Sequence, residues 1–411
     1  MDIRVVAIII LEALFAYLLL IRAGLLENRL RTVAAVLLIC AALLVRIYFL
    51  DYETLDYKNF LSGWVDFFRL NGGFSALKYS VGNYNIPYLY FLALFSYSTI
   101  PDLYLIKLLS VFFDIVLAYS VCRIVGLYTE GTLRSCFSFF AVLFLPTVFL
   151  NGAVWGQCDS IYVALALLAV WFVLSERPVL GMIFITLSFG FKLQAVFIMP
   201  VFAVFVFQRK IKWQHLFIFP LTYILLILPA VIAGRPILET VTLYFDQTGS
   251  IGSGLNYNSP SLFALWDFAE DPDSEKLSRV GIIAAFAYMV ILLAAGYFFR
   301  DRLKGRSFLI FCALMVLGIP FLLPHMHDRY FYPADIMTLA LAFVLPVSSV
   351  CSAAVEFASL LGYHAYLKLR YLLVMKYGTL FNGLSLVILS VLFICELIHT
   401  DLQDSTEIPE D

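Results

Sequence analysis

The sequence predicts an all-α polytopic membrane protein: one transmembrane domain over residues 1–400 with about 12 crossing helices, interfacial helices in the first large outer loop, and an acidic tail at 401–411. Three observations carry that expectation. The chain is 63% hydrophobic and 14% charged, against about 25% charged in soluble domains. Its mean hydropathy is +0.94. Apolar runs of roughly 15 to 25 residues, about the length that crosses a bilayer, recur from end to end and stop at charges, Pro or Gly. With a net charge of −2, no global basic field exists to hold nucleic acid by counterion release, so no nucleic-acid partner is expected. The seven cysteines, Cys40, Cys122, Cys136, Cys158, Cys312, Cys351 and Cys395, stand singly and read as small apolar packing residues.

Crossings are expected at 5–22, 33–50, 104–124, 134–152, 161–175, 179–191, 194–208, 214–234, 279–299, 306–323, 331–350 and 377–398. The first has no convincing small-residue cleavage site behind it and is expected to stay as a helix. Ile86 to Ser98 is apolar but only roughly 20 Å long as a helix, and Pro87 suits a helix start, so partial insertion without crossing is expected. Orientation follows from the Lys and Arg excess of cytoplasmic loops. Arg22, Arg29 and Arg31, then Arg209, Lys210 and Lys212, then Arg300, Arg302, Lys304 and Arg306 mark the inside. Counting crossings from them puts 51–85, 154–160, the turn at Lys192, 235–278 and 324–330 outside. If 86–98 crossed, the later basic loops would fall outside instead.

Polar chemistry gathers in those outer segments. In the first outer loop, helical spacing sets Phe60, Trp64 and Phe67 or Phe68 on one face, the pattern of a helix lying in the interface. Asp56 falls at the start of that helix, where free N–H groups favour a carboxylate. It is either a plain N-cap or a reactive carboxylate, and Asp51 is the alternate. Asn151, Trp155, Gln157, Asp159 and Ser160 join two apolar runs at a depth where unpaired polar groups are costly, so they should face protein or a wet cavity. An interfacial Trp with a helix cap at Asp159 is the plainer alternative. Lys192 and Gln194 interrupt an apolar stretch from Val179 to Phe207. A lysine there costs about 2.5–3.5 kcal/mol on insertion scales unless it snorkels or meets an anion.

The densest constellation is Pro324-His325-Met326-His327-Asp328-Arg329-Tyr330. Its histidines and aspartate could offer metal ligands, although no complete ligand set is specified, and Arg329 suits bidentate contact with phosphate. The long outer loop 235–278 adds Asp246, Gln247, Gly249, Gly252, Gly254, Asn256, Asn258 and Trp266, with Asn256 a candidate to line a carbohydrate site.

Taken in order, Asp56…Trp64, Tyr84-x-x-Pro87-Tyr88-Leu-Tyr90, Trp155-Gly156-Gln157-x-Asp159-Ser160, Lys192-x-Gln194 and Pro324-x-Met326-His327-Asp328-Arg329-Tyr330 resemble the GT-C superfamily of polyprenol-phosphate-sugar-dependent glycosyltransferases. The likeness is greatest to bacterial proteins related to the second mannosyltransferase of glycosylphosphatidylinositol anchor assembly, and it covers roughly residues 45 to 335. The resemblance implies a GT-C-like helical bundle in the cell membrane, of a bacterial plasma membrane type, with its active site facing outside. It implies an inverting hexosyltransferase, mannosyl or glucosyl, that moves a sugar from a polyprenyl-phosphate donor to a glycan or glycolipid acceptor. It makes Asp56 the general base and places Arg329 and His327, with His325 and Lys192, at the donor phosphate. Trp155, Gln157, Asp159, Gln194, Asp328, Tyr84 and Tyr88 would line the site. No cofactor beyond the donor substrate is specified, and a divalent metal is left open. Where the related proteins carry a Tyr-Pro-Pro triplet this chain has Tyr84-Asn85-Ile86-Pro87, and Asp328 stands where they carry glutamate. A lipid-linked glycan flippase is the alternative; it would place polar groups near the middle of the helices, where the sequence shows few charges.

Overall fold

The computed structural model describes residues 2–249, 254–265 and 274–406. Gly252, Trp266 and the end of the tail, 407–411, lie outside the described residues, as do the side chains of Asp246 and Gln247. Among the described residues 78% are helical and nearly none lie in strands, which decides for the all-α class.

Capping residues open the first helices. Asp2 accepts from the Arg4 backbone N–H at 2.9 Å to start α1 (Ile3–Arg22), and Asn28 accepts from that of Arg31 at 2.9 Å to start α2 (Arg29–Tyr48). A π-type turn at Tyr57–Leu61 leads into α3 (Ser62–Leu70). Asn85 and Pro87 start α4 (Ile86–Phe95), and α5 (Asp102–Gly126) follows. Pro146 separates α6 (Leu133–Phe144) from α7 (Pro146–Phe149) with a bend of 47°, and a second π-type turn covers Leu150–Trp155. Next come α8 (Asp159–Leu174), α9 (Pro178–Phe191), a 3-10 turn at Leu193–Phe197, α10 (Val201–Phe207), α11 (Ile218–Ile232) and α12 (Ile237–Gly249). The remaining helices are α13 (Ser274–Phe298), α14 (Gly305–Leu322), α15 (Tyr332–Val344), α16 (Ser349–Lys368) and α17 (Lys376–Thr406). Two short strands, β1 (Asn256–Tyr257) and β2 (Met326–His327), pair in parallel, Asn256 opposite Met326 and Tyr257 opposite His327.

The helices form two compact units. The first comprises Met1–Gly126, Gly131–Ala195 and Trp213–Ile251; in it α5 packs on α6 and α8, and α9 packs on α8 and α11. The second comprises Leu127–Glu130, Val196–Lys212 and Gly252–Asp411; in it α14 packs on α13, α15 and α17, and α16 on α15 and α17.

Among the described residues, seven helices are long and apolar enough to cross a membrane, or eight if the bent Leu133–Phe144 and Pro146–Trp155 pair is one span. The expected count of about 12 is therefore not reproduced. Segments 161–175, 179–191 and 331–350 become helices of 16, 14 and 13 residues, short of the roughly 20 that a crossing requires. The segment 194–208 is broken because Lys192 is extended and Pro200 precedes a helix of 7 residues. Helix α16 is unexpected from hydropathy, since Ser349, Ser352, Glu356, Ser359 and His364 dilute it, yet it buries Cys351, Val355, Ala358 and Leu361. It returns the chain within the second unit to the end that carries β1: beyond it the Tyr371 hydroxyl donates to Asn258 Oδ1 at 2.5 Å. Helix α4 has 10 residues, roughly 15 Å, which does not reach across a bilayer.

Candidate active site

The first unit builds a polar cluster around Asp56. Its side chain caps no helix N–H. Instead Oδ2 accepts from Trp155 Nε1 at 2.8 Å and from Gln157 Nε2 at 2.8 Å, so the N-cap alternative gives way to a long-range acceptor. Hydrogen bonds to an ionised oxygen are short and strong, and two of them converging on one atom fix the orientation of the carboxylate. The donors stand on a tightly folded segment. Gly156 turns left-handed at φ 77, the Gln157 N–H donates to Asn151 O at 2.9 Å, and Ser110 Oγ donates to Gln157 O at 2.6 Å. From the other side, Thr54 Oγ1 donates to Trp155 O at 3.1 Å. The Tyr84 hydroxyl donates to Gln157 Oε1 at 2.9 Å, which turns the amide nitrogen toward Asp56. Tyr84 also packs on Tyr88 at 4.7 Å and edge-on to Trp64 at 5.6 Å.

Asp51, the alternate carboxylate, is exposed and accepts from the Tyr104 hydroxyl. Tyr57, next to Asp56, donates to Asp102 Oδ2 at 3.2 Å; burial, with the Asp102 charge beside it, pushes its phenol well above the usual range, so it stays a donor. Helix α3 buries Val65 and Phe68, while Trp64 and Phe67 are half-buried and Phe60 is exposed. The aromatic face read from spacing thus lies beside the buried one.

Lys192 sits in the break after α9 and forms a buried ion pair with Asp159, whose Oδ2 also accepts from Asn151 Nδ2 at 2.8 Å. Asp159 is the first residue of α8 and the anion of this pair. Lys192 finds its anion inside the protein instead of snorkelling. Gln194 lies on the following 3-10 turn, with a buried Oε1 that lacks a hydrogen-bond partner among the described residues. Nearby, a cavity of about 360 Å³ between α9, α11 and α12 is walled by Phe189, Leu193, Phe219, Tyr223, Val241 and Tyr244.

The second unit assembles the histidine motif through backbone pairing. His325 is left-handed at φ 60, its N–H donates to Leu255 O at 2.7 Å, and its ring nitrogens meet Gly254 O at 2.7 Å and Ser278 Oγ at 2.9 Å. His327 stacks on Tyr257 at 4.6 Å and lies 5.1 Å from the Tyr330 ring. Asp328 is buried, and its Oδ1 is 4.0 Å from Arg329 Nη1. Asn256 closes its own turn, donating to Ser259 O at 2.8 Å and Ser261 Oγ at 2.9 Å. Helix α16 comes so near that a Cβ on Gly362 would lie 2.7 Å from Asn258 O and 2.9 Å from Asp328 O.

The structure therefore brings Asp56, Tyr84, Trp155 and Gln157 into one hydrogen-bonded group, pairs Lys192 with Asp159, and gathers Asn256, His325, His327, Asp328 and Arg329 in the other unit. Sequence reasoning missed Thr54 and Ser110, whose hydroxyls hold the donor segment. It also underrated intramembrane charge: Glu12, Arg46, Lys107 and Asp114 are all buried in predicted crossings, and Arg46 Nε donates to Asp114 Oδ2 at 2.9 Å. Ionisable residues inside apolar helices were the signal that would have found them.

The sequence profile of glycosyltransferase family 87 matches residues 83–324. The match takes in Tyr84, Trp155, Gln157, Asp159, Lys192 and Asn256, starts after Asp56 and stops one residue before His325. No curated protein matches the chain. The profile spans more than half of the sequence, and on that ground the chain, a membrane-embedded protein of many apolar helices, belongs to glycosyltransferase family 87.

Proposed function

We propose that this glycosyltransferase moves a hexose, mannose or glucose, from a polyprenyl-phosphate sugar to a hydroxyl of a glycan or glycolipid with inversion, and that Asp56 is the general base. The observation that carries the proposal is the Asp56 carboxylate held by Trp155 Nε1 and Gln157 Nε2. In the reaction the acceptor oxygen forms a bond to the anomeric carbon, its proton passes to Asp56, and the bond from that carbon to the phosphate oxygen breaks, releasing polyprenyl phosphate. A carboxylate that two N–H groups hold in place needs little reorganisation to accept that proton. The apolar cavity beside α9 and α11 has the chemistry to accommodate a prenyl chain.

Charge growing on the leaving phosphate calls for cations, and we assign this role to Arg329 with His327 on the residues of the second unit. His325, tied through both ring nitrogens, shapes that segment. The likeness to relatives of a mannosyltransferase favours mannose. The basic loop of Arg22, Arg29 and Arg31, which α2 alone separates from residues 51–56, supports an active site on the non-cytoplasmic face, and the resemblance stated above makes the membrane a bacterial plasma membrane.

The test is transfer of labelled sugar from a prenyl-phosphate donor by the full chain in lipid nanodiscs. Transfer lost in Asp56→Asn and retained in Asp51→Asn supports the reading; the reverse moves the base to Asp51, and full activity in both removes a first-loop base. The buried Arg46–Asp114 pair is the observation that favours a flippase instead, and lipid-linked glycan crossing liposomes without sugar transfer would establish that reading.

A further inference from the structure

Helix α5 carries a polar stripe of Tyr104, Lys107, Ser110 and Asp114, whose spacing sets them on one face. Every member grips a segment that builds the Asp56 site. Tyr104 donates to Asp51, Ser110 Oγ donates to Gln157 O at 2.6 Å, and Asp114 binds Arg46 and lies under Gly152, where a Cβ would come within 3.4 Å of its carboxylate. Lys107 is the most deeply committed. Its side chain is fully buried, and Nζ donates to Phe49 O at 2.6 Å, Leu50 O at 3.2 Å and Tyr52 O at 2.6 Å.

We propose that Lys107 is the positioning residue of the Asp56 carboxylate, acting through the end of α2. An ammonium has three N–H groups, and here three carbonyls receive them at the negative end of the α2 dipole. Those carbonyls belong to residues 49, 50 and 52, and the chain runs on within four residues to Asp56. Thr54, between them, is tied to Trp155 O. One turn along α5 from Lys107, Ser110 holds the carbonyl of Gln157, the residue whose Nε2 reaches Asp56. A single helix thus sets both the segment that carries the carboxylate and the segment that carries its donor. A planar guanidinium fork would not place three donors on three converging carbonyls in this way. A neutral side chain would take the ammonium donor from the Leu50 and Tyr52 carbonyls, while Phe49 O would keep only the Tyr52 N–H at 3.1 Å.

The inference rests on Asp56 as the base, and the experiment separates the two. The full chain in nanodiscs is compared as wild type, Lys107→Met and Lys107→Arg for sugar transfer and for amide hydrogen exchange. Lys107→Met is expected to lower kcat about 10- to 100-fold, the scale of a small misplacement near the reacting atoms, with the donor KM unchanged to within about twofold. Exchange should rise in residues 49–57 and stay unchanged in 324–330. Lys107→Arg should recover part of the kcat and of the protection. The proposal is overturned if Lys107→Met leaves kcat and the exchange of 49–57 at wild-type levels. It is equally overturned if exchange rises evenly in both units and Lys107→Arg recovers nothing, the mark of general destabilisation. Should Asp56→Asn retain turnover, the base assignment fails, while exchange at 49–57 still decides whether Lys107 holds that segment.

Discussion

In the first unit Asp56 is held by side chains, the Trp155 indole and the Gln157 amide, which lie 99 and 101 residues further along the chain. In the second, the histidine segment is seated by backbone, with a two-residue parallel ladder, a left-handed His325 and a close approach from Gly362, and its rings add contacts, His325 to Gly254 O and Ser278 Oγ and His327 to Tyr257. Side-chain anchoring means that one substitution can loosen a carboxylate while the backbone stays in place. Backbone anchoring means that the motif responds to changes in packing around it more than to the loss of any one ring.

The comparison can be broken in four places. The largest effect is expected from Asp56→Asn, which removes the proton acceptor and should lower transfer about 10²–10⁴-fold with the fold intact; initial rates measured beside a melting curve check both halves. Lys192→Met strips the counterion from buried Asp159 and should reduce stability by about 3–5 kcal/mol, because an unpaired buried charge remains. The double variant with Asp159→Asn should recover part of the lost melting temperature, and an additive double variant would argue against the pair. Gln157→Leu removes a donor to a charged oxygen, an interaction of about 1.5–3 kcal/mol, so kcat should fall by about 10- to 100-fold and less than in Asp56→Asn. A fall as large as that of Asp56→Asn would mean that Trp155 alone does not hold the carboxylate. Gly362→Ala forces a methyl group against two backbone oxygens and should cost about 1–3 kcal/mol; hydrogen exchange should rise at 256–261 and 326–329 but not at 51–57. Loosening of both regions would erase the distinction drawn between them.

Long apolar helices were legible from the sequence because one property, hydropathy over some twenty residues, defines them: α1, α2, α13 and α14 fall within a few residues of their expected bounds. Helix α16 was hidden because its serines, Glu356 and His364 lower its hydropathy, although Ser359 Oγ finds Asp335 Oδ1 at 2.7 Å and the His364 ring meets Arg370 O at 3.0 Å. The 194–208 segment misled for the opposite reason, being apolar throughout but interrupted by Pro200. In the candidate site the residue types were legible and their partners were not. Nothing local to Asp56 announces Trp155 or Gln157, and nothing near Lys192 chooses Asp159 over a lipid headgroup, since both pairings depend on tertiary contact.

The π-type turn at Tyr57–Leu61 sets the azimuth between Asp56 and the helix that follows. Such a turn holds one residue more than the α-helix it replaces, so winding the same residues as a regular α-helix, with none removed, would swing the carboxylate by about 100° relative to Trp64. Trp64 is pinned against Gly82, where even a Cβ would come within 2.5 Å of its ring, so the swing would fall on Asp56 rather than on the aromatic. The extra residue that the turn absorbs thus keeps the carboxylate in phase with the helix that follows.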